Sequence, residues 1–126
     1  MSWIVANISW VMAVGGVLTL AMLLTFLSPR AGLTAMFGEA IEGPLAAIVA
    51  RSWASMIALG GAMLLWGAWH PQIRPFVLFY TAVGKTIFVL LVVTQGRQYL
   101  RRAGLACALD LTMASLFTWY LVVTAT

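Results

Sequence analysis

The chain has 126 residues, of which 63% are hydrophobic and only 8% charged, and its mean hydropathy is +1.03. A soluble domain carries about a quarter charged residues; so few charges cannot cover a chain of this size in water, which excludes a cytosolic enzyme, a free nucleic-acid-binding domain and a disordered segment. The net charge of +4 rests on scattered cations and gives no nucleic-acid signal.

Chemistry that depends on clustered ligands is also poorly supplied. The single cysteine, Cys107, excludes an intramolecular disulfide and any Cys-x-x-Cys motif. The single histidine, His70, cannot form a zinc or haem site unaided. An integral membrane protein is the class that remains.

A helix crosses the hydrocarbon with about 20 mostly apolar residues. Four stretches meet this length: residues 3–27 without a charge, 45–69 containing Arg51, 75–95 containing Lys85, and 103–124 containing Asp110. The breaks between them hold Ser28-Pro29-Arg30, then His70 through Pro75, then Gly96 through Arg102. These are polar and carry the Pro or Gly at which a helix stops. The N-terminal stretch lacks a positive n-region and is too long for the apolar core of a cleavable leader, so it is expected to be the first span.

Between the first two spans, residues 31–43 place Leu33, Met36, Phe37, Ala40 and Ile41 on one helical face. That pattern predicts a short amphipathic helix in the interface, with Glu39 and Glu42 on its wet face. Docking beneath the bundle as a plug is the alternative. The expected fold is therefore all-α: a four-transmembrane-helix bundle, one domain over residues 1–126, with this interfacial helix after the first span.

Arg30, Arg97, Arg101 and Arg102 fall on one side of such a bundle, with Arg51 just inside the same face, while Arg74 alone faces the other. The positive-inside rule puts the four-arginine side in the cytoplasm and both termini outside it. Trp3, Trp66, Trp69, Phe76, Tyr80, Trp119 and Tyr120 then fall near the outer interface, and Trp53 and Tyr99 near the inner one, as an aromatic belt.

Arg51, Lys85 and Asp110 lie where charge is expensive. An ionised group at mid-bilayer costs roughly 2.5–3.5 kcal/mol on insertion scales, and it persists only if it pairs, reaches the interface or lines a wet cavity. Arg51 and Asp110 fall at similar depth. Lys85 lies roughly one helical turn beyond Asp110. The expectation is one acid shared by two bases, with one cation in excess. It is either an ionic latch that fixes helix register or the polar end of a pocket. On the faces around these charges, Ser55, Thr81, Phe88, Cys107, Met113 and Phe117 are the candidate pocket lining. Small residues on the second span (Ala47, Ala50, Ala54, Ala58, Gly61) recur at the three- and four-residue spacing of close helix packing in lipid. Gly15-Gly16 and Gly60-Gly61 are expected to serve the same packing, with helix bending as the alternative. Gly84-Lys85-Thr86 is not a phosphate loop, because Phe79 stands where that motif needs its other glycine.

The layout resembles a known group. Ser28-Pro29 follows the first span, Arg51-Ser52-Trp53 lies in the second, Gly84-Lys85-Thr86-Ile87-Phe88 in the third and Asp110 through Phe117 in the fourth. This looks like the small bacterial DoxX-like four-helix membrane proteins. The resemblance implies the bacterial inner membrane and, in some members, quinone-coupled sulfur redox chemistry. No cofactor motif accompanies it here, so no enzymatic role is carried over.

Three functions are consistent with these residues. The first is binding of a lipophilic molecule, quinone- or isoprenoid-like and not covalently held, or service as an accessory membrane subunit beside a redox partner. The second is an oligomeric proton- or cation-coupled transporter with Asp110 as the coupling acid. The third is a structural or assembly subunit. The lipid bilayer is the expected environment, with a homo-oligomer or membrane redox protein as partner.

Overall fold

The computed structural model describes residues 3–125, and every regular element among them is helical. Four segments are long and apolar enough to cross a bilayer: Trp3–Leu27, Pro44–Ala68, Pro71–Gln95 and Arg97–Ala125. The chain is a multi-pass membrane protein built as a four-helix bundle, and its large outward-facing hydrophobic residues, such as Trp10, Leu59, Phe79 and Leu105, are exposed to the surroundings of the bundle.

The first span is two helices, α1 (Trp3–Leu20) and α2 (Leu23–Leu27). Between them the backbone tightens: the Met22 N–H donates to the Thr19 carbonyl and the Leu24 N–H to the Ala21 carbonyl, both three residues back. The Thr19 hydroxyl donates to the Gly15 carbonyl at 2.7 Å. Such back-bonding bends helices, and tightened turns inside a span mark local irregularity. Nothing in the apolar sequence Leu20-Ala21-Met22 announces this break.

Pro29 opens α3 (Pro29–Phe37), where its missing N–H costs nothing. Gly38 closes it at φ 85°, and Gly43 precedes α4 at φ 105°, conformations that favour glycine. The interfacial helix therefore ends at Phe37, not at residue 43. Ala40 and Ile41 lie in the non-helical connection, because the left-handed Gly38 stops the helix before their face is reached. α3 is docked as well as amphipathic: Leu33 is buried, Arg102 approaches the Thr34 carbonyl at 3.5 Å, and the Tyr99 hydroxyl donates to Glu39. Glu42 pairs with Arg30 at 3.5 Å on the exposed side.

The second span is α4 (Pro44–Ala68), again with proline in its first turn. A 3-10 turn, Pro71–Ile73, leads into α5 (Arg74–Gln95), and another, Arg97–Tyr99, leads into α6 (Leu100–Ala125). The fourth helix thus begins before residue 103.

α1 packs chiefly on α4, and α5 on α6. The first pairing depends on glycine. A Cβ on Gly61 would stand 2.5 Å from the Leu20 nitrogen, and one on Gly16 would stand 2.8 Å from the Gly61 carbonyl. Only hydrogen fits there, which is how small residues let helices approach in lipid. One end of the bundle is filled by Ile4, Ile8, Met12, Leu64, Leu78 and Phe117, all buried. Toward the opposite end the buried residues are mostly small, among them Ala50, Ala54, Ala103 and Cys107, and the candidate site lies beside them.

Candidate functional site

Lys85 projects from the middle of α5 and is 8% exposed. Its Nζ donates to Asp110 Oδ1 on α6 at 2.9 Å and to Thr19 Oγ1 on α1 at 3.0 Å. Three helices thus meet at one ammonium group. The pairing follows from the antiparallel packing of α5 on α6 through a short turn, which sets residues 85 and 110 level. An ammonium has three protons. Two are used, and the third has no acceptor among the described residues. Asp110 is 22% exposed on its side chain, and its Oδ2 has no donor there either.

Both residues form part of the wall of a cavity of about 490 Å³, within the range of small-molecule sites. All four spans line it: Leu18, Thr19 and Met22 from the first, Trp53, Met56, Ile57 and Gly60 from α4, Tyr80, Thr81, Gly84 and Phe88 from α5, and Ala106, Leu109 and Met113 from α6. Met36 of α3 also lines it. Apart from the ion pair, the polar groups are few. The Thr81 hydroxyl is occupied by the Val77 carbonyl at 2.8 Å.

Two glycines open this space. A Cβ at Gly84 would meet nothing within 4 Å, and one at Gly60 would only touch Tyr80 and Thr81 at 3.6 and 3.7 Å. Neither position is forced to glycine by a helix crossing, in contrast to Gly16 and Gly61. Gly60 belongs to the cavity, not to the close packing expected of it. Each helical glycine costs about 0.5–1 kcal/mol relative to alanine.

Arg51 does not join the cluster. Its Nε donates to the Phe26 carbonyl at 3.1 Å. Pro29 and the end of α2 leave carbonyls at that terminus without helical donors, and the guanidinium meets one of them. The expected sharing of Asp110 between two bases is thereby corrected. The excess cation disappears from the site, and Lys85 with Asp110 is charge-balanced.

Of the candidate lining residues, Thr81, Phe88 and Met113 face the cavity. Ser55, Cys107 and Phe117 do not. The Ser55 hydroxyl turns back to the Ser52 carbonyl at 2.9 Å, Cys107 is buried in helix packing, and Phe117 fills the core at the other end. Trp53 and Tyr99 are also more than interfacial belt residues. With Phe37 and Phe88 they form a ring cluster, with centroids 5.7 Å apart for Phe37–Tyr99, 6.3 Å for Phe37–Phe88 and 6.5 Å for Trp53–Phe88. The folding back of α3 produces it.

One residue with a comparable burial was not singled out by sequence. Arg74 is 8% exposed. It donates to the Gly67 and Ala68 carbonyls at 3.1 and 2.9 Å, and approaches Ser9 Oγ at 3.4 Å. The available signal is its spacing: an arginine a few residues after the end of one span and at the first position of the next can reach the carbonyls just left behind.

Comparison with protein-family models, characterised proteins and solved structures returns no match to this chain.

Proposed function

We propose that this membrane protein binds a lipophilic small molecule whose polar head is neutral, of the quinone or isoprenoid type, within the cavity between its helices. The observation that carries this reading is the Lys85–Asp110 pair on the cavity wall, with one lysine proton and one carboxylate oxygen left without partners among the described residues. A carbonyl accepts from the first, and a hydroxyl donates to the second. Because the pair is charge-balanced, an anionic head gains little there. An unmet donor in an apolar cavity carries a desolvation cost of about 1–3 kcal/mol, which a bound head would relieve. Gly60 and Gly84 hold the space open.

In this proposal the protein lies in the bacterial inner membrane with Arg30, Arg97, Arg101 and Arg102 in the cytoplasm. The DoxX-like layout adds a membrane redox partner that delivers or consumes the ligand. Protein purified in mild detergent and extracted into organic solvent is expected to yield a defined lipophile near one per chain by mass spectrometry. A Lys85→Met/Asp110→Leu variant is expected to yield none. Bulk phospholipid alone from both proteins would refute the binding reading and favour a purely ionic latch.

A further inference from the structure

A second, wholly separate-looking hollow of about 370 Å³ lies beneath α3, lined among others by Leu33, Phe37, Ile41 and Val49. It is apolar apart from Gln95 at its edge. Trp53, Phe88 and Leu91 line both this hollow and the cavity that holds Lys85. The two spaces therefore share side chains from α4 and α5 in their walls.

The Trp53 and Phe88 rings stand 6.5 Å apart between centroids and are inclined at 30°. Carbon atoms in contact lie about 3.5–4.0 Å apart, so a chain seated between two ring faces needs roughly twice that. That is about 0.5–1.5 Å more than the present centroid separation, so the two side chains must turn apart to admit one. Both rings are half-buried, and Phe37, the third member of the cluster, is carried by α3, which is held by side-chain contacts. The opposite route out of the first cavity runs sideways past Met56, Tyr80 and Ile87, which are exposed on the flank of the bundle.

Resting on the ligand reading above, we infer that the ligand is elongated: its head meets Lys85 and Asp110, and its apolar chain passes between Trp53 and Phe88 into the hollow beneath α3. The two spaces are one site for one molecule, and α3 is the cover over the chain end. Both routes pass exposed residues, Ile41 and Val49 on this one and Met56, Tyr80 and Ile87 on the flank, but only this one runs between two aromatic rings and under Phe37 of α3. Hydrocarbon is as apolar as the hollow, so chain length should change position more than affinity, and the test reads position.

The probes are methyl ketones carrying a photoreactive diazirine, one set with a short chain and one with a long chain bearing the diazirine at its far end. They are applied to the full-length protein in lipid nanodiscs, and crosslinked residues are mapped by mass spectrometry with unlabelled ketone as competitor. The long probe is expected to label Leu33, Ile41 and Val49, and the short probe Thr81 and Met113. Val49→Trp, at an exposed position on the wall of the hollow, is expected to abolish long-probe labelling of Leu33 and Ile41 and leave short-probe labelling unchanged. Gly84→Phe, which fills the first cavity, is expected to abolish both. Long-probe labelling at Met56, Tyr80 and Ile87 would overturn the chain route and leave the head site standing. Absence of competable labelling by either probe would overturn the head site and the chain route together.

Discussion

Replacing Asp110 by asparagine isolates the charge from the hydrogen bond. The amide oxygen can still accept from Lys85, but the ammonium, 8% exposed, loses its counter-charge. Hydrogen bonds between neutral groups on membrane helices average only about 0.6 kcal/mol. Stranding one member of a buried ion pair costs about 3–5 kcal/mol. Two features lower the expectation here: Thr19 Oγ1 still accepts from Lys85 at 3.0 Å, and the adjoining cavity has room for water. The expected loss for Asp110→Asn is therefore about 2–3 kcal/mol. The Lys85→Met/Asp110→Leu double variant removes both charges and is expected to return to within about 1 kcal/mol of the parent, since apolar replacement of a buried pair is commonly neutral or stabilising. Reversible unfolding in mixed micelles, followed by circular dichroism, gives both values. A loss below about 1 kcal/mol for the single variant would mean that the charge is not felt. A double variant as unstable as the single would mean that the pair's geometry, not its charge balance, supports the bundle. Either result refutes the reasoning.

Other expectations follow from the same contacts. Arg74→Lys should destabilise by about 2–3 kcal/mol, because a lysine cannot present the guanidinium fork that reaches the Gly67 and Ala68 carbonyls together; equal stability of the two proteins in the same unfolding assay would contradict the capping role. Arg51→Met should cost only about 1 kcal/mol, since this side chain is exposed and makes one bond to a terminal carbonyl, and it should leave ligand content unchanged; loss of the extracted lipophile would return Arg51 to the site. Gly61→Ala should disrupt packing by several kcal/mol, its Cβ falling 2.5 Å from the Leu20 nitrogen, whereas Gly84→Ala should be neutral or stabilise by up to about 1 kcal/mol. If the two alanine variants behave alike, the distinction between packing glycines and cavity glycines fails.

The number of spans and the all-helical class were legible in the sequence, because crossing a bilayer imposes a length and a polarity that local composition must satisfy. Lys85 and Asp110 were legible as exceptional for the same reason: a charge in an apolar run is costly wherever its partner lies. The close approach near Gly61 was legible in part, since small residues at helical spacing have few other uses in a span.

What only the tertiary structure decided was which groups answer each other. Arg51 had two open requirements within reach, a carboxylate and an uncapped helix end, and a sequence cannot rank partners whose distance depends on packing; the structure gives it the Phe26 carbonyl at 3.1 Å. In the sequence Arg74 is one more cation in a loop, and only the return of the chain sets it beneath two carbonyls. Ser55, Cys107 and Phe117 share helical faces with the charges in projection, yet Ser55 and Cys107 do not line the cavity once the helices pack, and Phe117 lies too far along α6, in the core at the other end. Composition is a property of each segment alone, so the bilayer can be read from it. A cavity belongs to no segment: it is the space four helices fail to fill, and it exists only once they are assembled.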